Sequence, residues 1–360
     1  MLLKYESMAE KEKQHFVPKF YLKRFSFNEE EQQIGIYNKT QGKYIQQGSL
    51  KAQAYKKNYY GKDGELEDAL GMIEGKMAPL LSKICKENLI PKDGSKGHFF
   101  LLMLLVSTDL RNPVIREMMD KAISQLLLAT QGDLGQFSPF FENGTLNLIN
   151  APQIIMRQMH KQIVLCSDLH FKFLINKTSQ AFITSDNPVI KYNQFLEGRN
   201  IIDAATGSSS LGIQMILPLN HRLSVMFYDS KIYKVGDKKK MTLDLDDIQD
   251  VIQLNILQFL NSKNNVLFDH RISENDIKSL HSKAKQITQA NLIKTHKPSK
   301  VYDKFGNEIN SQIVYNTVSA CITNLKIKGI KFTEYAKNLT LNNRLVQMRE
   351  HYYKLQSKWE

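Results

Sequence analysis

Helix-type and strand-type patterns occupy separate stretches of this chain. Apolar residues repeat at helical spacing over residues 65–88, and further helices are predicted over residues 95–107, 114–129 and 152–166. From residue 170 onward, short aromatic and β-branched segments predict strands over 170–175, 180–184, 212–217 and 223–228. Because segregated helices and strands do not alternate as a doubly wound sheet requires, the sequence predicts an α+β fold. In this fold a helical N-terminal half packs on a mostly antiparallel sheet.

Three local features add detail to this prediction. Residues 34–45 alternate apolar and polar positions around a glycine-containing turn, which predicts a β-hairpin with a longer loop. Pro79 lies inside the first long helix, so a kink or a break is expected near Ala78. A further helix is predicted over residues 244–261, and a short strand follows it over residues 266–268.

The last quarter of the chain differs from the rest in charge. Residues 271–360 carry 16 lysine and arginine residues against 7 acidic residues, a net charge of +9. Residues 294–304 are polar and contain a proline, which is typical of a linker, and helices are expected over 313–325 and 341–355. The sequence therefore predicts an α+β core domain over residues 1–270 and a basic, mainly helical module over 271–360.

The chain as a whole is basic. Its 360 residues include 49 lysine and arginine residues against 36 acidic residues, which gives a net charge of +13 and a pI near 9.3. Such a balance favours polyanionic partners, and nucleic acid is the partner that we expect first. Two alternatives stay open, a small phosphorylated ligand and a lysine-rich surface that is only solvated.

The cysteines and the hydropathy of the chain indicate the cellular compartment in which the protein is expected. Cys85, Cys166 and Cys321 are far apart and odd in number, so neither a disulfide framework nor a zinc site matches their spacing. A reducing cytoplasm is the simplest location. The N-terminus lacks the pattern of a signal peptide, and the longest apolar run, residues 99–106, is too short to span a bilayer. We therefore expect no membrane partner.

A series of short motifs runs through residues 14–270. In order they are His15-Phe16-Val17-Pro18, Phe20-Tyr21-Leu22, Asn58-Tyr59-Tyr60, Glu67, Glu74, Arg111-Asn112-Pro113, Phe182-Ile183-Thr184-Ser185-Asp186-Asn187-Pro188-Val189, Leu217-Pro218-Leu219 and Leu254-Asn255. In composition and joint order these motifs resemble the bacterial domain-of-unknown-function family 4238. One motif departs from the family, since it reads Arg-Asn-Pro where Arg-Thr-Pro is expected. The resemblance implies candidate positions but no established activity.

Two of these motifs contain candidate catalytic residues. His15 is the only histidine of the first motif, and imidazole titrates near neutrality, so His15 suits a general base or a metal ligand. The alternative is a hydrogen-bonded histidine in a packed segment. Asp186 lies at the end of an apolar strand, where Asn-Pro stops the strand and turns the carboxylate outward. The alternative there is an Asx-turn, in which Asp186 or Asn187 bonds local backbone amides.

Charged residues of the helical half complete the candidate set. Glu67 and Glu74 lie seven residues apart on one helix face beside the apolar stripe, where burial can raise the pKa of a carboxylate. Glu74 is the catalytic candidate, because a solvated position is expected for Glu67. Arg111 is a candidate phosphate ligand or a clamp for one of the carboxylates, and a structural ion pair is an equal alternative. Asn187 and Asn255 are further ligand-binding candidates.

These residues lead to one hypothesis for a site. We expect His15, Glu74, Arg111 and Asp186 to converge in a cleft between the helical half and the sheet. Such a set suits acid–base or metal-assisted cleavage of a phosphodiester bond, and Mg²⁺ is the divalent metal to test as a cofactor, its ligands being unknown. The leading interpretation is a nucleic-acid-processing protein, a candidate nuclease effector in bacterial anti-phage defence. The alternatives are a nucleic-acid- or protein-binding module without activity and an enzyme acting on a small phosphorylated metabolite.

Other patterns carry less information. Arg344 and His351 have the R-x6-H spacing of a class of helical ribonucleases, but so short a pattern arises easily in a basic helix. The run Lys238-Lys239-Lys240 is more typical of a solvated loop than of a phosphate contact. The chain contains no Walker A, GxGxxG, HExxH, CxxC or G-x-S-x-G motif, so the corresponding nucleotide, dinucleotide, zinc-protease and serine-hydrolase interpretations lack support.

Overall fold

A computed structural model gives the fold of most of the chain. It describes residues 12–27, 32–129, 151–201, 205–287, 323–341 and 347–359, together with the backbone of short strands between residues 141 and 146 and between residues 293 and 318. Within these residues the protein has an α+β fold of helices packed on mostly antiparallel sheets, as the sequence predicts.

Two antiparallel strand pairs organise the first 60 residues. The elements are β1 (Lys13–His15), α1 (Lys19–Leu22), a 3-10 turn (Lys23–Phe25), β2 (Gln33–Asn38), β3 (Lys43–Ser49), a second 3-10 turn (Leu50–Ala52) and β4 (Tyr55–Lys57). The predicted hairpin is confirmed as β2 and β3, which pair antiparallel with a register shift between Ile34 and Ile36. β1 pairs antiparallel with β4, so His15 lies opposite Tyr55.

Helices dominate the next hundred residues. They are α2 (Glu65–Glu87), α3 (Lys96–Leu110), α4 (Pro113–Ala129), α5 (Ala151–Arg157) and α6 (Met159–Cys166), with a short strand pair, β5 (Phe141–Glu142) and β6 (Thr145–Leu146), before α5. α2 runs through Pro79 as one helix, so the break that Pro79 was expected to cause does not occur. Gln158 separates α5 from α6, where a single helix was predicted.

α3 is the most thoroughly buried of these helices. Its apolar side chains Leu101, Leu102, Leu104 and Leu105 are all buried, so the helix is covered on more than one side. Among the described residues, no single helix has the length and hydropathy to cross a membrane. α3 and the part of α4 up to Ser124 meet that test only as a pair bent by 54°.

The central sheet has five strands. They are β7 (His170–Asn176), β9 (Ile190–Tyr192), β10 (Gln214–Pro218), β11 (Leu223–Tyr228) and β13 (Thr242–Leu245), in the spatial order β13-β7-β11-β10-β9, and α7 (Gln194–Glu197) follows β9. Only the β13–β7 pair is parallel, and the other three pairs are antiparallel. Residues 242–245 thus form a strand, and the helix predicted over 244–261 begins later, at Ile248.

A second sheet of four strands lies beside the hairpin. It adds β8 (Thr184–Ser185) and β14 (Asn265–Phe268) to β2 and β3, in the order β3-β2-β14-β8, and α8 (Ile248–Asn261) connects β13 to β14. β14 pairs antiparallel with both β2 and β8. The strand predicted over residues 180–184 is therefore displaced to Thr184–Ser185, where it continues directly into the Asp186-Asn187-Pro188 turn.

The C-terminal quarter contains strands as well as helices. Its elements are α9 (Glu274–Lys285), β15 (Ile293–His296), β16 (Val301–Tyr302), β17 (Glu308–Ile309), β18 (Tyr315–Val318), β19 (Ile330–Phe332), α10 (Glu334–Asn338) and α11 (Glu350–Trp359). β18 pairs with β15, so the helix predicted over 313–325 is wrong at Tyr315–Val318. β19 pairs antiparallel with β12 (Tyr233–Val235), a strand between β11 and β13 in the chain.

Successive side chains along the central strands point to opposite faces of the sheet, and the two faces belong to two different apolar cores. Phe173 and Phe227 belong to the core that α2 and α3 cover, whereas their neighbours Leu174 and Met226 belong to the core on the other face. That second core also contains Leu325, Ile327 and Ile330 from the C-terminal quarter. Helices therefore pack on one face of the sheet, and α8 packs with the C-terminal residues on the other.

Candidate functional site

His15 ends β1 in a buried position. Its ring lies 5.7 Å from the ring of Tyr55, measured between centroids, and the residue is 8% exposed. Neither ring nitrogen has a hydrogen-bond partner of good geometry, although the backbone of Gln53 lies near enough to favour the protonated ring. Burial is the largest effect on the pKa of His15, and the nearby charges of Lys19 and Arg111 act in the same direction. Together they lower this pKa to about 4. At neutral pH His15 is therefore an uncharged imidazole that can accept a proton.

Arg111 caps the C-terminal end of α3 and is buried more deeply than His15. The residue is 2% exposed, and its Nη1 donates to Oε1 of Glu74 at 2.7 Å. Its Nε and Nη2 have no hydrogen-bond partner of good geometry, although the Tyr60 hydroxyl lies near enough to interact with the guanidinium. Burial lowers the pKa of Arg111, but the proximity of Tyr60 and Glu74 and their hydrogen bonding more than offset this, so its pKa is raised overall. A permanent cation therefore lies inside the protein with hydrogen-bond donors that are incompletely used.

Tyr60 connects His15 to Arg111. Its hydroxyl donates to the carbonyl oxygen of His15 at 3.2 Å and lies close enough to Arg111 to favour the charged guanidinium. Its backbone N–H donates to Oε1 of Gln14 at 2.5 Å, and Nε2 of Gln14 donates to the carbonyl oxygen of Gly61 at 2.9 Å. These bonds fix the loop after β4 against β1, and so hold the tyrosine in position.

Glu67 and Glu74 border the site on α2. They lie seven residues apart and therefore share a helix face, as the sequence predicts. Burial first, and then the charge of Glu74, raise the pKa of Glu67, while Arg111 and Lys19 act in the opposite direction. Both glutamates and Lys19 are half-buried. They form the more accessible side of a group whose floor is His15 and Arg111.

We call this group of residues the His15–Arg111 cluster. Its members are His15, Lys19, Tyr60, Glu67, Glu74 and Arg111. The cluster combines a neutral base, a buried cation with unused donors, and a carboxyl group of raised pKa. Such a combination can bind an anion through the guanidinium and move protons to or from it.

Asp186, the third predicted catalytic residue, has a different role. Its carboxylate accepts hydrogen bonds from the backbone N–H groups of Lys263, Asn264 and Asn265, at 2.8, 2.8 and 2.9 Å. Burial raises the pKa of Asp186, and these bonds and the charge of Lys39 oppose the rise. The carboxylate thus closes the turn between α8 and β14. Among the described residues the Asp186 carboxylate forms no hydrogen bond or ion pair with His15, Glu74 or Arg111, so the convergence of all four residues in one cleft stays a prediction.

One contact joins the Asp186 turn to the cluster indirectly. The side-chain amide of Asn112, next to Arg111, donates to the carbonyl oxygen of Asp186 at 2.7 Å. The side chain of Asn112 also accepts from the backbone N–H of Val114 at 2.9 Å, which begins α4. The Arg-Asn-Pro motif therefore presents Arg111 to the cluster and attaches Asn112 to the sheet.

The two predicted ligand-binding asparagines bind the protein itself. Nδ2 of Asn187 donates to the carbonyl oxygen of Asn261 at 2.9 Å. The Asn255 side chain accepts from the N–H of Ile183 at 3.2 Å and donates to the carbonyl oxygen of Ala181 at 2.9 Å. The Asn255 amide thus supplies backbone partners to the segment before β8, where regular strand pairing is short, and the Asn187 amide ties the turn after β8 to the end of α8.

Tyr60, Lys19 and Glu67 are the members of the cluster that the sequence did not predict. Tyr60 lies in the Asn58-Tyr59-Tyr60 motif, and Lys19 interrupts the aromatic residues that follow Pro18, so both had a signal in their motifs. A solvated position is expected for Glu67, but the residue is half-buried. Burial of this kind depends on segments that are distant in sequence, and helical periodicity does not reveal it.

Among the described residues, the remaining patterns do not form a second site. Arg344 lies outside the described residues, and Nε2 of His351 lies 2.8 Å from the carbonyl oxygen of Val164. The backbone N–H of Lys239 donates to Oδ1 of Asp237 at 2.9 Å, so the lysine run forms a turn. Within the part of the chain that the structure describes, no group of three or more His, Cys, Asp or Glu residues could hold a metal ion.

Comparisons with known proteins agree with the motif order. The model of a family described as "Protein of unknown function (DUF4238)" matches residues 13–271. No curated protein and no solved structure matches the chain. The matched region contains all six residues of the His15–Arg111 cluster, and it also contains Asp186, Asn187 and Asn255.

Proposed function

This chain belongs to the DUF4238 family, and we propose that it is a nucleic-acid-processing enzyme that cleaves phosphodiester bonds at the His15–Arg111 cluster. Its action in the cytoplasm, as a nuclease effector in anti-phage defence, is part of the same proposal. The basic composition supports a polyanionic substrate, since a net charge of +13 attracts nucleic acid to the surface.

The observation that carries this proposal is buried Arg111, of which two nitrogens have no hydrogen-bond partner of good geometry, beside a histidine whose ring nitrogens also have none. Leaving a buried donor without a partner costs about 1–3 kcal/mol, and more when the group is charged. A phosphate group supplies several strong acceptor oxygens, and its geometry matches the guanidinium fork. Phosphate is therefore the anion that best completes this site.

The chemistry assigned to the cluster is acid–base. Arg111 binds a non-bridging phosphate oxygen and stabilises the charge that accumulates there in the transition state. Neutral His15 accepts the proton of the attacking hydroxyl, from water or from a ribose, as the new P–O bond forms. As the old P–O bond breaks, the leaving oxygen takes a proton from the carboxyl group of Glu67, the pKa of which is raised chiefly by burial.

Glu74 has a positioning role in this scheme. It accepts a hydrogen bond from Nη1 of Arg111 and leaves Nε and Nη2 of the same guanidinium for the phosphate. Its side chain is 27% exposed, whereas that of Arg111 is 1% exposed. Glu74 therefore compensates the buried charge from the accessible side of the cluster.

The burial of the site favours one second candidate, an enzyme that acts on a small phosphorylated metabolite. His15 and Arg111 are 8% and 2% exposed, so a phosphate must pass the half-buried Lys19, Glu67 and Glu74 to reach them. A small ligand or the end of a strand reaches such a position more easily than the middle of a duplex. Arg111 anchors the phosphate in either case.

A cleavage assay tests the proposal. The purified protein is incubated with end-labelled single- and double-stranded RNA and DNA, with Mg²⁺, with Mn²⁺ or with EDTA. His15→Ala is compared with His160→Ala, a matched change at an exposed histidine. We expect cleavage by the native chain and by His160→Ala, and a loss of about 10²-fold or more in His15→Ala. The EDTA arm reports whether a metal takes part.

The other outcomes separate the alternatives. If every nucleic acid stays intact but small phosphate esters are hydrolysed in a manner that depends on His15, the metabolite enzyme replaces the nuclease. If nothing is cleaved and nucleic acid still binds with strong salt dependence, the protein is a binding module. In that case, changing Lys294, Lys297, Lys300 and Lys304 to Gln should weaken binding, while His15→Ala should not.

A further inference from the structure

A small pocket lies near the C-terminal end of α2, where four segments of the chain meet. They are the 3-10 turn after α1, the last turn of α2, the turn between β10 and β11, and the turn between β14 and α9. The pocket has a volume of about 150 Å³, and its described lining includes no member of the His15–Arg111 cluster. Pockets for drug-sized ligands measure roughly 300–1,000 Å³, so this one suits a single small group.

Positive charge dominates the described lining of this pocket. Its cationic side chains are Lys23, Arg24, Lys86 and Arg271. Asp269 is the carboxylate among the described lining residues. Four cations therefore face one anion, even when the two histidines of the lining are counted as neutral. Such an excess of positive charge favours an anionic ligand.

The charge of Asp269 is compensated by Arg271. Oδ1 of Asp269 accepts from the backbone N–H of Arg271 at 2.9 Å, and Oδ2 accepts from Nη1 of the same arginine. Nδ1 of His221 lies 3.4 Å from Oδ2, and the Asp269 side chain is 3% exposed. The carboxylate is thus held within its own turn. The excess charge of the described lining comes from the other three cations, Lys23, Arg24 and Lys86.

Cys85 lines the pocket without adding negative charge. The residue is half-buried, and its Sγ donates to the carbonyl oxygen of Leu219 at 3.8 Å. Burial is the largest effect on the pKa of this thiol and raises it to about 12, while the charge of Arg24 acts in the opposite direction. The thiol is therefore uncharged at neutral pH and does not repel an anion.

The pocket and the His15–Arg111 cluster lie along the same helix. Glu74 of the cluster and Cys85 of the pocket are eleven residues apart on α2, so they share a helix face and are separated by about 16 Å along its axis. Lys19 of the cluster precedes Lys23 of the pocket by four residues, across α1 and the start of the 3-10 turn. One strand of a duplex carries a phosphate about every 3.4 Å, so about five nucleotides span the distance along α2.

We propose that this pocket binds one backbone phosphate of a nucleic acid whose scissile phosphate lies at the His15–Arg111 cluster. This assignment rests on the nuclease function proposed above. Lysine and arginine are common ligands of backbone phosphates, and contacts of this kind position a strand without reading its sequence. Lys23, Arg24 and Lys86 also interact with other groups of the protein. Ammonium and guanidinium groups each carry several donors, so they can bind a phosphate in addition.

Binding of labelled single-stranded RNA and DNA at increasing salt concentration, followed by fluorescence anisotropy, tests this pocket. Every full-length chain carries His15→Ala, so that the strands stay intact. The pocket variant Lys23→Gln/Lys86→Gln is compared with the unaltered pocket. The matched control is Lys161→Gln/Lys177→Gln, at exposed lysines elsewhere.

The length of the strand decides the expected result. The pocket variant should bind a strand of about ten nucleotides about tenfold more weakly than the control does, since charge-assisted hydrogen bonds are lost. The slope of log affinity against log salt should become smaller by about 0.7, the value for one phosphate of a single strand. A dinucleotide is too short to reach both sites, so its affinity should not change.

Two results would overturn the proposal. One is a pocket variant that binds the longer strand with the affinity and salt slope of the control. The other is a pocket variant that loses affinity for inorganic phosphate in calorimetry but keeps its affinity for the strand, because the pocket would then serve a free phosphate. Circular dichroism of each variant verifies that a lost affinity does not reflect a lost fold.

Cleavage by chains that retain His15 is scored separately. Cleavage by the native chain, together with an unchanged strand affinity of the pocket variant, rejects the pocket and leaves the nuclease in place. Binding that depends on the pocket, without any cleavage, rejects the nuclease and supports the phosphate contact.

Discussion

Nη1 of Arg111 lies 2.7 Å from Oε1 of Glu74, and this ion pair joins the C-terminal end of α3 to the middle of α2. The two side chains differ in access to solvent, with the arginine 1% exposed and the glutamate 27% exposed. Water therefore reaches the acidic partner but not the basic one. The Arg111 cation is the charge that requires compensation, and the Glu74 carboxylate is its ion-pair partner.

This relationship predicts a stability effect at Glu74. Glu74→Gln keeps an acceptor oxygen but removes the negative charge, so the Arg111 cation is left without compensation. We expect the free energy of unfolding to fall by about 1–3 kcal/mol, below the full effect of breaking a buried pair because Glu74 is partly exposed. Urea denaturation measures the change. Glu87→Gln, at an exposed position near the end of α2, is the matched control and should change the free energy by less than about 0.5 kcal/mol.

Anion binding by Arg111 predicts stabilisation by phosphate. Inorganic phosphate at about a hundredfold above its dissociation constant should raise the free energy of unfolding by about 2.7 kcal/mol, because it binds only the folded protein. Arg111→Lys should lose most of this gain, since lysine lacks the fork that two phosphate oxygens match. Thermal unfolding with increasing phosphate measures the effect, and Arg157→Lys is the control at an exposed arginine. Equal stabilisation of both variants would place the phosphate elsewhere.

The lowered pKa of His15 predicts a pH dependence of stability. The ring has a pKa of about 4 in the folded protein and 6.5 in the unfolded chain. As pH falls between these values, the unfolded chain binds a proton that the folded protein does not, so the folded state loses stability. From about pH 7 to about pH 5, the free energy of unfolding should fall by about 2 kcal/mol more in the native chain than in His15→Gln.

A variant at a second, exposed histidine is the control for this pH series. His160→Gln changes an exposed histidine and should leave the pH dependence of the native chain in place. Native and His15→Gln proteins with parallel profiles over this range would contradict the assignment of His15 as a buried neutral imidazole. Below about pH 4 the two profiles should again run parallel, because folded and unfolded chains are then both protonated at this position.

Substitutions of Asp186 distinguish a structural role of this residue from a catalytic role. Asp186→Ala leaves three backbone N–H groups without acceptors, which predicts a loss of about 2–4 kcal/mol in the free energy of unfolding. Asp186→Asn retains one acceptor oxygen and should cost less. If the chain cleaves nucleic acid, the folded fraction of Asp186→Asn should keep the native rate, measured with the same labelled substrates. A specific loss of activity in a stable Asp186→Asn protein would return Asp186 to the active site.

Sequence patterns predicted local geometry well in this protein. Residues 67 and 74 share a helix face because the helical repeat places them there, and the hairpin follows from alternation over residues 34–45. Of the candidate set, Glu74 and Arg111 form an ion pair, and Arg111 lies near enough to His15 to lower its pKa. The helix face and the hairpin depend only on the period of one element, whereas that ion pair joins two helices.

Long-range contacts account for what the sequence did not predict. The amides that bind the Asp186 carboxylate lie 77 to 79 residues further along the chain, so a local Asx-turn was the nearest available interpretation. The pKa of Glu67 is likewise raised mainly by burial, and the charges of Lys19 and Arg111, which belong to other elements, act on it in the opposite direction. The residue pattern within one segment does not indicate which distant segment will cover it.

The contacts of Arg349 predict that the C-terminal residues are integral to the fold. Arg349 is 3% exposed, and it binds both carboxylate oxygens of Asp168, at 2.9 and 3.0 Å, and the carbonyl oxygen of Ser208 at 2.7 Å. Arg349→Ala should lower the free energy of unfolding by about 3–5 kcal/mol, because Asp168 and the carbonyl lose a buried partner. Lys354→Ala, in an exposed pair on the same helix, should cost less than about 1 kcal/mol.

Deletion of residues 323–360 extends this prediction to the whole segment. The deletion removes Leu325, Ile327 and Ile330 from the second core and leaves β12 without its partner β19. Burying each of these side chains stabilises the fold by about 1.5–3 kcal/mol, so their joint loss approaches the entire stability of a typical domain. We expect the truncated chain to be insoluble or to lack a cooperative urea transition. A truncated chain that unfolds cooperatively at the native urea midpoint would mean that residues 1–322 fold without this segment, and that the basic C-terminal residues form a separable module.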